Sequence, residues 1–162
     1  MAWGHVEITI EMMNVFLHNY FRMPVKDHAF VDFPRGPFKK VNVAKRLLNR
    51  DTLFYDLRDK AGTLLDEAIA LHEIRVHAVH SVCQGFTGAE ELLFFMSDQT
   101  KGISSKSVKL TLTGMDAASE RMRTIQPELD EIVHEIHRRL IESRALPYAR
   151  SSPPDRPPPN GE

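Results

Sequence analysis

Arg75 and His80 are the residues whose types and spacing most suggest chemistry. They lie in the run Arg75-Val-His-Ala-Val-His80, near the end of the longest strongly periodic segment of the chain. Arginine carries a permanent positive charge, and histidine is the side chain that exchanges a proton near neutral pH. One helix carrying both would supply a near-neutral base and a fixed cation. A similar spacing joins Arg22 to His28, but Pro24 would break a helix there.

Segment 51–83 is predicted to form the central helix that positions this pair. At about 100° per residue, most of its apolar side chains fall on one face, and Arg75 falls near the middle of that face. The face consists of Leu53, Leu57, Leu64, Ala68, Leu71, Ala78, Val79 and Val82. A lateral stripe of Leu65, Ile69, Val76 and His80 indicates contact from a second direction, which could be another subunit. The pattern therefore predicts a homodimer through the central helix.

The remaining segments predict elements that pack around this helix. Residues 3–22 favour a helix that ends at Met23, because Pro24 disfavours the helical conformation of the residue before it. A second helix should begin at Pro37. Two apolar runs predict a β-hairpin at about 92–113, and the amphipathic helix after it should kink or restart at Pro127. The expected fold is mainly α: a helical bundle with one inserted β-hairpin over residues 1–146, then a proline-rich flexible tail over 147–162.

Composition limits the classes of protein that fit. The chain has 162 residues, of which 42% are hydrophobic and 27% are charged, as in globular domains. A formal net charge of -1 gives no overall attraction to nucleic acid or to anionic membranes. The single cysteine, Cys83, should be a buried thiol at an apolar helix end. Because the N-terminal stretch lacks a basic region and no apolar run reaches membrane-spanning length, the sequence predicts a cytoplasmic protein without a membrane partner.

A local excess of positive charge precedes the central helix. Residues 35–60 carry eight lysines and arginines against three aspartates. Among them, Lys39, Lys40, Lys45 and Arg46 are candidates for binding a phosphate backbone. The alternative interpretation is a solvated helix face without a ligand.

The segment Ala70-Leu-His-Glu-Ile-Arg75-Val-His-Ala-Val-His80-Ser resembles the motif helix of HEPN-fold proteins (higher eukaryotes and prokaryotes nucleotide-binding). The signature of that family is an arginine, a polar residue, and a histidine after four to six intervening positions. The order of elements over about residues 3–144 is similar to a group of uncharacterised bacterial helical proteins of this type, including Trp3-Gly and Glu7 in the first helix. One position departs from the family pattern: Val76 stands where a polar residue is usual.

The resemblance implies metal-independent RNA cleavage, of the toxin or defence kind, at a site shared by two subunits. His80 would assist proton transfer from the ribose 2′-OH, and Arg75 would stabilise the charge that develops on the phosphate. The alternative is a catalytically silent binding or regulatory module. In that case Arg75 would be a buried structural arginine paired with a carboxylate such as Glu7, Glu11 or Glu90, and His80 would be a packed histidine.

A different interpretation of the histidines is that they bind a metal ion. His77 and His80 are three residues apart, as are His134 and His137, and Glu131 precedes His134 in a Glu-x-x-His arrangement. On their helices, however, His77 and His134 fall opposite the apolar faces, so the histidines should point to solvent. We therefore expect no metal. The chain also lacks a glycine-rich phosphate loop, Gly-x-Ser-x-Gly and Cys-x-x-Cys, so we expect no cofactor.

Overall fold

A computed structural model describes residues 2–21, 36–98 and 104–150, with side chains described for 3–21, 36–95 and 107–143. Its helices are α1 (Ala2–Phe21), α2 (Pro37–Leu48), α3 (Arg58–His80) and α4 (Leu112–Arg150), with a short 3-10 turn at Thr52–Phe54. Its strands are β1 (Val82–Phe86), β2 (Glu91–Asp98) and β3 (Ser104–Thr111). The prediction of a mainly α fold is confirmed.

The four helices enclose one hydrophobic core. α1 shows how the sequence builds it, because its buried side chains recur every three or four residues, the period of a helix face. These are Trp3, Val6, Ile10, Met13 and Leu17, each at most 6% exposed. Val6, Ile8 and Ile10 also alternate with other residues as in a strand, but the structure is helical throughout this segment. α4 covers α1 along its length, and Thr9 Oγ1 on α1 donates a 2.7 Å hydrogen bond to Asp130 Oδ1 on α4.

The central helix begins later than the sequence predicts. Asp51 caps the 3-10 turn instead, with its Oδ1 accepting a 2.9 Å hydrogen bond from the Leu53 backbone N–H. α3 then runs from Arg58 to His80. An aspartate that binds its own backbone two residues on favours a turn over a helix interior, which explains the shift.

Between Leu64 and Leu71, both apolar stripes of α3 pack inside the same chain, whereas Ala78, Val79 and Val82 of the predicted main face are exposed. Leu64, Ala68 and Leu71 of the main face are buried, and so are Leu65 and Ile69 of the lateral stripe, at 0% and 9% exposure. Contact from two directions is thus confirmed, but helices of the same bundle supply it. Leu65 and Ile69 therefore give no indication of a subunit interface.

The hairpin is present and has a third strand that the sequence did not predict. β2 and β3 pair antiparallel from Glu91↔Thr111 to Asp98↔Ser104, and β1 pairs with the other edge of β2. Cys83 lies in β1 opposite Phe94 and is exposed, so the prediction of a buried thiol on a helix end is wrong. Gly85, with φ of 123°, lies at the irregularity in this pairing, where a side chain would be strained.

α4 follows β3 without a loop. The Thr111 side-chain oxygen accepts a 3.0 Å hydrogen bond from the Gly114 backbone N–H and so caps the first turn of the helix. A Cβ on residue 114 would lie 2.7 Å from that oxygen, which explains the glycine. The helix continues through Pro127 as one element, so the expected restart does not occur.

Two arginines of α4 fasten it to the rest of the bundle. Arg121 donates to both carboxylate oxygens of Glu67 on α3, at 2.6 and 2.7 Å. Arg139 donates to both oxygens of Asp56, at 2.6 and 2.7 Å, and to the Leu53 carbonyl oxygen at 2.7 Å. Bidentate pairs of this kind fix orientation as well as distance.

The predicted end of the first helix at Met23 and the predicted turn residues 24–35, including Phe30 and Phe33, lie outside the described residues, as does 151–162 of the predicted tail. α4 extends to Arg150, into the region where the sequence predicts that tail. Within the described ranges, no helix is both long enough and apolar enough to cross a membrane.

Candidate functional site

Arg75 lies in the last two turns of α3 and is half-buried. The carboxylates expected to pair with it are used elsewhere: Glu7 and Glu11 bind Lys40, at 3.0 and 3.3 Å, and Glu90 accepts a hydrogen bond from Thr113. Among the described residues, Arg75 forms no ion pair or side-chain hydrogen bond. The interpretation of Arg75 as a buried ion-pair arginine is therefore wrong for the part of the chain that the structure describes.

Arg75 instead lines an open cleft of about 240 Å³ at one end of the bundle. The cleft lies where the start of α1, the end of α3 and the start of α4 meet. Its walls are apolar except for Arg75 and the exposed Ser119, and they consist of Trp3, Ile74, Arg75, Ala78, Val79, Met115, Ala118, Ser119 and Met122. A mostly apolar hollow with a few polar groups is the usual form of a small-ligand site.

His80 is the last residue of α3, and its side chain is exposed. It does not line the cleft. Five positions along a helix correspond to a rotation of about 140°, so Arg75 and His80 of one chain project in different directions. Within one copy of the chain, the two side chains therefore do not face the same point.

His72 lies beside the cleft, in contact with its wall residue Trp3, and was not among the residues predicted from the sequence. Its ring packs against Trp3 with the centroids 4.4 Å apart, and its Nδ1 is buried without a hydrogen-bond partner among the described residues. Burial lowers the pKa of His72, and the positive charges of Arg75 and His80 lower it further, while Glu7 and Glu73 oppose them. The available signal was its position three residues before Arg75, on the same side of the helix.

The four basic residues proposed to bind RNA are not equivalent. Lys40 binds Glu7 and Glu11 on α1, and these hydrogen bonds outweigh burial and raise its pKa. Lys45 binds Asp66 at 2.6 Å. Lys39 and Arg46 are exposed. They are seven residues apart, so they share one face of α2, separated by about 10 Å along its axis.

The histidine pairs do not form a metal centre in the described residues. Of the four histidines predicted to point to solvent, His80, His134 and His137 are exposed and His77 is half-buried. His134 Nδ1 lies 2.7 Å from the Asp130 carbonyl oxygen, and His137 stacks on Phe16 with the centroids 4.6 Å apart. Throughout 2–21, 36–98 and 104–150, no three His, Cys, Asp or Glu side chains are grouped closely enough to hold a metal ion.

Comparison of the chain with protein-family models, curated proteins and solved structures gives no match. The HEPN resemblance thus remains a prediction from the motif and the order of elements. The groups that bear on function at this end of the bundle are the cleft, Arg75 with no partner among the described side chains, the covered His72 and the exposed His80.

Proposed function

We propose that the protein is a HEPN-like ribonuclease that cleaves RNA without a metal ion. The observation that supports this most is that Arg75 lines an open cleft without a carboxylate partner in the described structure. A guanidinium neutralised by a carboxylate would have little charge left for a substrate. An unpaired one can bind a phosphate through two parallel hydrogen bonds and stabilise the charge that develops on it.

His80 is the proposed proton acceptor for the ribose 2′-OH, and its exposed side chain leaves it accessible to RNA. Because Arg75 and His80 of one chain project in different directions, the site needs two copies whose α3 ends face each other. Val79 and Val82 flank His80 in sequence and are 59% and 67% exposed. Apolar side chains this exposed beside the motif fit a surface that a second copy covers. In this form the predicted homodimer uses the end of the central helix.

Lys39 and Arg46 are the proposed contacts to the RNA backbone on α2, because both are exposed and share one helix face. Lys40 and Lys45 are not proposed as direct contacts to RNA, since their ammonium groups already form ion pairs with carboxylates. Contacts of this kind position the nucleic acid and give binding that weakens as salt rises.

A catalytically silent binding module is the second candidate. Val76, half-buried and apolar, occupies the position that is usually polar in the family that the motif resembles. Without that polar group, the site could bind a phosphate at Arg75 and still lack the hydrogen bonds that organise cleavage.

A cleavage assay separates the two candidates. Purified protein in EDTA should cut single-stranded RNA and leave a cyclic phosphate end, and His80→Ala should abolish cutting. His134→Ala is the matched control, because it removes another exposed histidine, on α4. RNA binding without cutting would favour the silent module, and cutting that survives His80→Ala would exclude this site.

The dimer has its own test. Light scattering should give twice the mass of the chain for the wild type, and Val79→Lys should give a monomer with unchanged far-UV circular dichroism. A wild-type monomer at the concentrations that cleave RNA would rule out the two-subunit site.

A further inference from the structure

The cleft beside Arg75 has features that phosphate-backbone binding leaves unexplained. A backbone phosphate needs only the guanidinium and other polar groups, yet most of this cleft's wall is apolar. The lining residues include Trp3 from α1, Ile74 from α3, and Met115 and Met122 from α4. A single positive charge at the edge of an apolar hollow matches a ligand that has one anionic group and one apolar body.

We propose that this cleft binds a small anion that carries one planar ring, with the anionic group on Arg75 and the ring between the methionines and Trp3. Phosphate esters and carboxylates share the required chemistry, since a guanidinium binds both through two parallel hydrogen bonds. The inference uses the same Arg75 as the proposed ribonuclease but does not depend on RNA cleavage or on a dimer, because one chain supplies every wall.

The size of the cleft limits the apolar body to about one ring system. Its volume is about 240 Å³, below the roughly 300–1,000 Å³ of pockets that enclose drug-sized ligands. A long alkyl chain would exceed this volume, whereas a single ring system is small enough for it. Thioether sulfurs make favourable contacts with aromatic rings, which suits Met115 and Met122 to this role. Ser119 adds a hydroxyl that can donate to or accept from a ring substituent.

Trp3 is the only tryptophan in the chain, so its fluorescence reports directly on this wall. The titrants are a nucleoside monophosphate, an aromatic carboxylate such as phenylacetate, the unphosphorylated nucleoside, and inorganic phosphate. At least one ring-bearing anion should give a saturable change, with a Kd about tenfold or more below that of both the nucleoside and phosphate. The two anions distinguish a nucleotide-like source from a carboxylic acid.

Two variants test the two halves of the site. Arg75→Met removes the cation, and Ser119→Leu fills the cleft from an exposed position of α4, so each should weaken binding about tenfold or more. Arg138→Met is the matched control, because Arg138 lies on α4 outside the cleft and pairs with Glu135 and Glu142. Far-UV circular dichroism checks that each variant is folded.

The proposal is overturned if no ring-bearing anion binds more tightly than phosphate, or if binding survives both Arg75→Met and Ser119→Leu. It stands if binding is lost in those two variants and kept in Arg138→Met. Absence of RNA cleavage would overturn the ribonuclease proposal but would not change the ligand-binding result. The two proposals can therefore fail independently.

Discussion

The indole of Trp3 covers the imidazole of His72, with the ring centroids 4.4 Å apart and the planes inclined by 35°. This contact joins the first turn of α1 to the end of α3 and buries the Nδ1 of His72. It also places a titrating group next to Arg75, so the charge of the cleft can be followed through the pKa of His72.

His72 should titrate below its ordinary value of 6.5, because burial and then the charge of Arg75 disfavour its protonated form. Arg75→Gln should move its pKa up towards 6.5, as followed by NMR of the imidazole protons. Since the depressed pKa means that the unfolded chain binds more protons, the contribution of His72 to stability is present above pH 6.5 and falls as the pH drops below it. Arg123→Gln on α4 is the control, and an equal shift in that variant would show that Arg75 is not the nearby charge.

Arg139 should make the chain sensitive to strong acid. Hydrogen bonds from Arg139 lower the pKa of Asp56 to about 2. Hydrogen bonds from Arg138 and Arg139 together lower the pKa of Glu135 to about 2. The stability they contribute is present above pH of about 4 and is lost as the pH falls towards 2. Arg139→Met should reduce this acid-dependent loss in urea unfolding at several pH values. Loss of the bond to the Leu53 carbonyl should also lower stability at pH 7, by about 1 kcal/mol. An unchanged acid profile in Arg139→Met would contradict the role of this clamp.

Leu65→Ala should lower the free energy of unfolding by about 2–5 kcal/mol, because a fully buried leucine leaves a cavity. Ile141→Ala is the comparison, since Ile141 is 56% exposed and its loss should cost about 0.5 kcal/mol or less. Urea unfolding at two protein concentrations measures both. If Leu65→Ala changed only the concentration dependence, Leu65 would belong to a subunit interface after all.

Cys83 should react with a thiol reagent in the native protein. It is exposed in β1, and it is the only cysteine in the chain. Labelling with a chromogenic disulfide should therefore reach one thiol per chain at a rate close to that in urea. Labelling slowed by about 100-fold or more, as expected for a thiol that reacts only after local unfolding, would show that Cys83 is buried, as the sequence predicts.

Gly62→Ala should stabilise the protein by about 0.5–1 kcal/mol, because alanine has the higher helix propensity. The added methyl carbon would lie 3.8 Å from the Lys45 Cε, an ordinary contact. Gly85→Ala should act in the opposite direction, because Gly85 has a φ of 123°. Thermal unfolding of the two variants gives the signs. A destabilised Gly62→Ala would indicate that another group lies closer to residue 62 than the Lys45 Cε does.

Local patterns were enough to predict several elements. Pro37 marks the start of α2, and the apolar spacing of α4 predicts most of its buried residues, including Ile125, Leu129 and Ile136. The same spacing also placed Ala117 and Ile141 on the buried face, and both are exposed. The confirmed predictions hold because each depends on residues within a few turns of one another. The β2–β3 hairpin was predicted for the same reason.

Contacts between residues far apart in the chain could not be predicted from the sequence. β1 was missed because Val82 also fits the apolar face of a helix, and only its pairing with Phe95 makes it a strand residue. Glu7 and Glu11 were reasonable partners for Arg75, but they bind Lys40 instead, from another helix. The motif itself was visible in the sequence, whereas the cleft needs three helices to meet and could not be predicted from spacing.

The direct passage from β3 into α4 has a mechanical consequence. Thr111 is the last residue of β3, and its side-chain oxygen caps the first turn of α4. That oxygen lies so close to Gly114 that residue 114 has no room for a side chain. Met115 and Ser119, about one and two turns into α4, lie on the same backbone and form part of the cleft wall. The sheet and that wall therefore lie on one continuous backbone without an intervening loop, so we expect a tilt of the hairpin to shift Met115 and Ser119 and to change the width of the cleft.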